Sequence, residues 1–197
     1  MKILISFIGD NDLKPDGGAV MNVFQSLKPN SVYLFYNTHS RDHELKYLHG
    51  ASDTASKMKK LVPTVDCEYV PIDIEDPTSY DLLYPKMNDE IQRIFKDKNS
   101  DTNDQRTKTE AIEYYISITS GTPQMQFIWI LLKENGLLNN TTLLQSINTP
   151  YQEKNNAGKP YREINLELDD FPKLTNPTSI KRQLTIEHRE KLDLKDK

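Results

Sequence analysis

The chain alternates between short hydrophobic runs and amphipathic stretches, and this pattern predicts its secondary structure. Runs rich in β-branched and aromatic residues are typical of buried parallel strands, and they lie at residues 2–8, 31–36, 67–74, 113–119 and 141–147. Helical spacing of apolar residues predicts helices at residues 19–27, 41–61 and 123–135, and after the opening segment 76–79. Residues 161–168 alternate between apolar and polar side chains, which predicts a C-terminal antiparallel edge strand or hairpin. The whole pattern predicts an α/β fold with a doubly wound, mainly parallel sheet.

The segment at residues 114–132 predicts a strand, a tight polar turn and a helix. Pro123 suits the first helical position, where its missing N–H is not needed, and Thr122 suits the N-cap, where its hydroxyl accepts a hydrogen bond from a free amide. Such a turn leaves backbone N–H groups and the positive end of a helix dipole at the sheet edge, which favours a bound anion. An ordinary, well-capped connection is the alternative interpretation. We take Trp129, on the apolar helix that follows, as a core residue.

Polar loops follow the first, second and fourth predicted strands. The first loop runs from Gly9 to Gly18, and its most polar part is Gly9 to Asp12. The second loop spans Asn37 to Ser40, and the third spans Ser120 to Thr122. Because the carboxyl ends of parallel strands meet at one edge of a sheet, we expect the three loops to form a single polar pocket.

The acidic and histidine side chains of these loops admit more than one role. Asp10 and Asp12 have no histidine or cysteine nearby at a matching spacing, so metal binding is disfavoured, and we expect no metal and no cofactor. Two roles are favoured for these residues. They cap the loop, or they accept hydrogen bonds from an adenine amino group or a ribose hydroxyl. For His39 a hydrogen-bonding role is favoured over that of a general base. The chain has no G-x-G-x-x-G turn and no G-x-x-x-x-G-K-[ST] loop, so we expect neither dinucleotide binding nor nucleoside triphosphate hydrolysis. We predict no catalytic residue.

Composition excludes several classes of protein. The 197 residues carry a net charge of -4, and we therefore expect no extended nucleic-acid site, because such sites need a basic face. The one cysteine, Cys67, allows no disulfide within the chain and fits a cytoplasmic setting. No apolar run reaches the length of a membrane span, so we expect no membrane partner.

The length fits one domain with an appendage. Prolines near residue 175 predict a boundary, which gives a ligand-binding domain at 1–175 and a charged helical tail or linker at 176–197. Arg182 and His188 match the R-x(4–6)-H pattern of a class of metal-independent ribonucleases. The pattern is short and arises often by chance, so a solvated helix or linker is the favoured interpretation.

Three segments together carry a resemblance to a known family. They are Ile118 to Met125 (ITSGTPQM), Phe7 to Asp12 (FIGDND), and Asp73 to Asp81 (DIEDPTSYD) before an amphipathic helix. They resemble CARF domains, the CRISPR-associated Rossmann-like sensors, and the strand-turn-helix S-G-T-P-x-M is the most specific of the three. The resemblance covers roughly residues 1–175 and implies a homodimer that binds a cyclic oligoadenylate, the second messenger of type III CRISPR systems.

The resemblance also implies which residues line the ligand pocket. On this chain they are Gly9, Asp10, Asn11, Asp12, Asn37, Thr38, His39, Ser40, Ser120, Gly121, Thr122, Pro123, Gln124 and Met125. The implied function is that of a sensor of cyclic tetra- or hexa-adenylate that regulates an effector in antiviral defence. Members of this family usually carry an effector, which we expect in a partner or fused beyond residue 197. Two alternatives stay open: a metal-independent ring nuclease in the same pocket, and a transcriptional sensor whose DNA-binding part lies elsewhere.

Overall fold

A computed structural model describes residues 1–101, 111–138, 140–147, 151–152 and 158–165. Residues Met1–Ile164 belong to one compact unit. The predicted domain boundary at residue 175, the tail at 176–197 and the pattern that spans Arg182 and His188 lie outside the described residues. They therefore stay predictions.

The described residues form a six-stranded sheet with the order β3-β2-β1-β4-β5-β6. The strands are β1 Lys2–Phe7, β2 Ser31–Asn37, β3 Asp66–Ile72, β4 Glu113–Ser117, β5 Thr141–Ser146 and β6 Tyr161–Ile164. The first five strands pair in parallel, and β6 pairs antiparallel with β5. This topology confirms the predicted α/β fold with its antiparallel edge strand.

Four α-helices connect the strands in the described part of the chain. They are α1 Gly18–Leu27, α2 Arg41–Leu61, α3 Tyr80–Asp101 and α4 Pro123–Glu134. Within the polar loop predicted after β1, Asp10–Leu13 forms a 3₁₀ helix. Its turn is closed by a 2.9 Å hydrogen bond from the Asp12 amide to the Gly9 carbonyl. A short acidic segment thus gains local structure that its polarity alone does not indicate.

Two hydrophobic cores lie on opposite faces of the sheet. Alternate residues of β1 enter different cores: Ile5 and Phe7 pack with the α3 and α4 side, and Leu4 packs with the α1 and α2 side. Trp129 of α4 is fully buried, with its ring 5.9 Å from that of Phe7 and 5.7 Å from that of Phe35. The prediction that Trp129 is a core residue is confirmed. This packing fixes α4 against the end of β1, where the polar loops begin.

Candidate functional site

The loops after β1 and β4 touch at two glycines. A Cβ atom added to Gly9 would lie 2.8 Å from the backbone nitrogen of Gly121, closer than non-bonded atoms approach. Gly121 has a φ of 89°, in the left-handed region, and a Cβ there would lie 2.9 Å from Sδ of Met125. Only glycine satisfies both the conformation and the space at residue 121. The two backbones therefore come together without intervening side chains.

Thr122 holds the start of α4 in place. Its Oγ1 accepts a 3.3 Å hydrogen bond from the amide of Met125, which confirms the predicted N-cap. The same hydroxyl donates a 2.8 Å hydrogen bond to the carbonyl of Pro77, in the loop before α3. Nε2 of Gln126 donates to the carbonyl of Gly121 at 3.3 Å and fixes the turn from the helix side. These three hydrogen bonds hold the turn in one conformation.

Three backbone amides between Ser120 and Gln124 have no acceptor within the described residues. They are the N–H groups of Ser120, Gly121 and Gln124, while Pro123 carries no N–H. Unpaired amides and the helix dipole concentrate partial positive charge at the N-terminus of α4. Together with the adjoining cavity described below, they provide hydrogen-bond donors for an anionic group such as a phosphate.

Asp12 is an internal anchor of the first loop. Its side chain is 1% exposed, and its two oxygens accept hydrogen bonds from the amides of Gly9 at 3.0 Å and Val20 at 3.2 Å. Burial raises the pKa of this carboxyl above its usual value of 3.8, and the Gly9 hydrogen bond opposes the shift. The described residues contain no cluster of three or more His, Cys, Asp or Glu suited to a metal ion. Asp12 caps the loop, one of the roles that the sequence favours.

Asn37 joins the second polar loop to the segment before α3. Its side chain is 7% exposed; its Nδ2 donates to the carbonyl of Ile74 at 3.0 Å, and its Oδ1 accepts from the amide of Ile74 at 3.1 Å. The same oxygen accepts from the amide of His39 at 3.0 Å. Nδ1 of His39 lies 2.9 Å from Oδ1 of Asp73, so this histidine is a hydrogen-bonding loop residue. These contacts position the 73–79 segment beside the turn at Gly121.

A cavity of about 210 Å³ lies at the carboxyl edge of the sheet, lined by the loops after β1 and β4 and by Asn37 at the end of β2. Seven of the predicted site residues line it: Gly9, Asp10, Asn11, Asn37, Gly121, Thr122 and Met125. Seven others are not among its lining residues: Asp12, Thr38, His39, Ser40, Ser120, Pro123 and Gln124. The convergence of the three loops is therefore seen in the fold, and the contact of each residue with a ligand stays a prediction.

Sequence reasoning missed five lining residues: Phe7, Ile8, His43, Tyr47 and Pro77. His43 and Tyr47 belong to the first two turns of α2, which begins after an N-cap at Ser40. Their spacing of four residues places both on one face of that helix. Since α2 was predicted to start at the same sheet edge, this spacing was a usable signal.

Asp10 forms a charged cluster with α2 at the cavity. Its Oδ1 accepts hydrogen bonds from Nζ of Lys46 at 2.7 Å and from the hydroxyl of Tyr47 at 2.9 Å. The Lys46 hydrogen bond, followed by that of Tyr47, holds the pKa of Asp10 below its usual value. Burial, and then the Asp10 contact, raises the pKa of the Tyr47 phenol. The cluster ties the first loop to α2 and keeps Asp10 ionised.

Comparison with known proteins agrees with the fold. The family model described as RtcR, regulator of RNA terminal phosphate cyclase, matches residues 3–194. Among solved structures, the chain is similar to Csm6 of Enterococcus italicus bound to cyclic hexa-2'-fluoro-hexa-dAMP, with a TM-score of 0.63 and 18% sequence identity. The match covers 84% of this chain and 41% of the Csm6 chain, so this chain spans less than half of that protein. The similarity confirms the resemblance to the CARF fold.

No curated protein matches the sequence. Within the described residues, no helix is both long enough and apolar enough to span a membrane.

Proposed function

The chain belongs to the RtcR family, described as regulator of RNA terminal phosphate cyclase, and from that premise we propose that it is the ligand-sensing part of a regulatory protein. Its ligand in this proposal is a cyclic oligoadenylate of four or six units, and its output is regulation of an effector in type III CRISPR antiviral defence in the cytoplasm. The bound ligand of the similar Csm6 structure, a cyclic hexanucleotide analogue, supports this choice.

One observation carries the proposal: the cavity is lined by Gly121, whose amide has no acceptor within the described residues, and it lies at the start of α4. Phosphates are held well by such amides, because they donate hydrogen bonds and lie at the positive end of the helix dipole. This mode of binding needs no basic surface, which reconciles an anionic ligand with a chain of net charge -4. The contact between Gly9 and Gly121 brings the backbone close to the cavity without intervening side chains.

The size of the cavity supports a site shared by two copies of the chain. The cavity volume of about 210 Å³ lies below the 300–1,000 Å³ of typical small-molecule sites. A ring of four or six nucleotides is larger than a typical small-molecule ligand, so one such cavity cannot hold the whole ring. A ring with an even number of identical units can have two-fold symmetry, and so does a homodimer. Each copy then supplies one cavity to half of the ring. Regulation follows if the ring binds one arrangement of the two copies more tightly than another.

A second candidate ligand comes from the family description. A regulator of an RNA terminal phosphate cyclase would usefully sense the RNA ends on which such an enzyme acts. That ligand is a linear oligonucleotide with a terminal phosphate, and the amides of Gly121 and Gln124 suit a terminal phosphate as well as an internal one. The two candidates differ in the topology of the ligand and share the cavity.

Calorimetric titration of the full chain separates these candidates. The probes are cyclic tri-, tetra- and hexa-adenylate, together with linear oligoadenylates that end in a 3'-phosphate or a 2',3'-cyclic phosphate. We expect binding of the tetra- or hexa-adenylate ring and at least tenfold weaker binding of the linear chains. The reverse order would replace the proposed ligand with an RNA end. Chromatography of the same mixtures detects linear products, and their formation in a single turnover would make the chain a ring nuclease.

A further inference from the structure

Two chemically different groups of residues line the cavity. Gly121 and Thr122 lie at the start of α4, where the unpaired amides are. His43 and Tyr47 of α2 line it as well, and they present aromatic rings. The first group suits phosphate. The second suits a flat aromatic group such as a nucleobase, because every base has a face that stacks on an aromatic ring.

The ring of Tyr47 is held in one position by its neighbours. Its hydroxyl donates to Oδ1 of Asp10 at 2.9 Å, and its ring centroid lies 5.9 Å from that of His43. Nζ of Lys46 lies 5.0 Å from the same ring centroid, a cation–π distance. A ring fixed in this way loses little conformational entropy when a base stacks on it.

Asp10 offers a free acceptor next to this ring. Both of its hydrogen bonds, from Lys46 and from Tyr47, go to Oδ1. Within the described part of the chain, Oδ2 accepts none. The Asp10 side chain is 70% exposed and the residue lines the cavity, so Oδ2 is accessible to a ligand. A carboxylate oxygen accepts hydrogen bonds only, and it therefore selects a group that carries an N–H or O–H.

We propose that Tyr47 and Asp10 form the base-reading part of the site: the base stacks on the Tyr47 ring, and its exocyclic amino group donates to Oδ2 of Asp10. The inference rests on the proposed function, since it specifies how that ligand is recognised. It makes Tyr47 the source of affinity for any base and Asp10 the source of preference for a base with an amino group, such as adenine.

The test compares three tyrosine variants by titration with cyclic tetra- and hexa-adenylate. Tyr47→Leu removes the ring and should weaken binding about tenfold or more. Tyr47→Phe keeps the ring and loses only its tether to Asp10, so we expect a loss of about threefold or less. Tyr69→Leu is the matched control, because Tyr69 is a 38% exposed tyrosine on β3 that does not line the cavity. Unchanged affinity of Tyr47→Leu, with normal binding by the unsubstituted chain, would overturn this inference and leave the proposed function standing.

Asp10→Asn tests the amino-group contact. The substitution keeps Oδ1 for Lys46 and Tyr47 and replaces the free acceptor with an N–H₂ donor. We expect it to weaken binding of the adenylate ring about tenfold. Binding of a ring of the same size, in which unsubstituted purine without the 6-amino group replaces each adenine, should not change. An equal loss for both rings would overturn the proposal. If the loss of affinity caused by Asp10→Asn disappeared only with a ring carrying 2'-fluoro groups, Asp10 would contact the ribose hydroxyl. That result would also overturn the proposal. Absence of binding by the unsubstituted chain would remove the proposed function, and this inference with it.

Discussion

Gly9 and Gly121 meet so closely that a Cβ atom on Gly9 would lie 2.8 Å from the backbone nitrogen of Gly121. These residues follow β1 and β4, which pair in parallel along the centre of the sheet. Their contact joins the 3₁₀ turn at Asp10–Leu13 to the start of α4 and forms part of the cavity wall. The geometry of the site therefore depends on the absence of two side chains.

Two effects disfavour a side chain at this contact: a steric clash with neighbouring atoms and the strain of a positive φ. Alanine substitutions of three glycines separate them. Gly9→Ala adds a clash with backbone, since Gly9 has an ordinary φ of -114°, and should lower the free energy of unfolding by about 1–3 kcal/mol. Gly158→Ala adds only the strain of a positive φ, because Gly158 has a φ of 79° and nothing within 4 Å, and should cost roughly 1–2 kcal/mol. Gly121→Ala adds the same strain, with a φ of 89°, and a contact 2.9 Å from Sδ of Met125, so it should cost more than Gly158→Ala.

Chemical denaturation of the three variants gives the ranking. Circular dichroism confirms that each one folds before its midpoint and slope are compared with those of the unsubstituted chain. A Gly121→Ala variant no less stable than Gly158→Ala would show that the turn has room for a side chain. The contact would then not be a constraint on the site.

Asp12→Asn should destabilise the fold although it changes few atoms. The carboxylate presents an acceptor to each of two amides, those of Gly9 and Val20, whereas an asparagine presents one acceptor and one N–H₂ donor. One buried amide then loses its partner, which costs about 1–3 kcal/mol. Asp16→Asn is the matched control, because Asp16 accepts a single amide hydrogen bond, from Gly18, at an exposed position. Equal unfolding midpoints for the two variants would contradict the anchoring role of Asp12.

The raised pKa of Asp12 predicts how the stability difference changes with pH. Because burial raises this pKa above 3.8, the native state holds the proton more tightly than the unfolded state does. The contribution of Asp12 is therefore complete below pH 3.8, and part of it is lost as the pH rises through the native pKa. The free energy of unfolding of the unsubstituted chain, minus that of Asp12→Asn, should fall across this window. Thermal unfolding of both proteins from pH 3 to pH 7 measures the difference, and a rise with pH would contradict the assigned shift.

Thr122→Val removes a hydroxyl and keeps the shape of the side chain. It deletes the N-cap of α4 and the hydrogen bond to the Pro77 carbonyl, so we expect a loss of about 0.5–2 kcal/mol from the cap alone. Thr122→Ser keeps both hydrogen bonds and should stay close to the unsubstituted chain in stability and in ligand affinity. Urea denaturation and calorimetry of the pair test this. Ligand affinity equal in the two variants would mean that the turn does not need its tether to the 73–79 segment.

The features that sequence predicts well depend on local chemistry. Five parallel strands and the cap at Thr122 and Pro123 follow from residue types within a few positions of each other, and the structure confirms them. The meeting of three loops at one edge follows from the parallel direction of β1, β2 and β4. No packing information is needed for these steps.

The features that sequence misses depend on how elements pack. Asp10 and Asp12 are two residues apart and look alike in the sequence, yet the 3₁₀ turn directs Asp12 inward and leaves Asp10 exposed. Tyr47 reaches the cavity because α2 packs beside that turn, where its hydroxyl meets Asp10. Pro77 lies at the cavity because two hydrogen bonds hold its segment there, one from Asn37 to the carbonyl of Ile74 and one from Thr122 to the carbonyl of Pro77. Contacts between residues 37 to 45 positions apart are invisible to local patterns.

The molar ratio of cyclic adenylate to chain tests the central claim most directly. Calorimetry gives this ratio, and sedimentation of the same samples gives the mass of the free and bound protein. The account predicts one tetra- or hexa-adenylate ring for every two chains, in a particle with the mass of a dimer. One ring per single chain in a particle of monomer mass, or no heat with any ring, would contradict it.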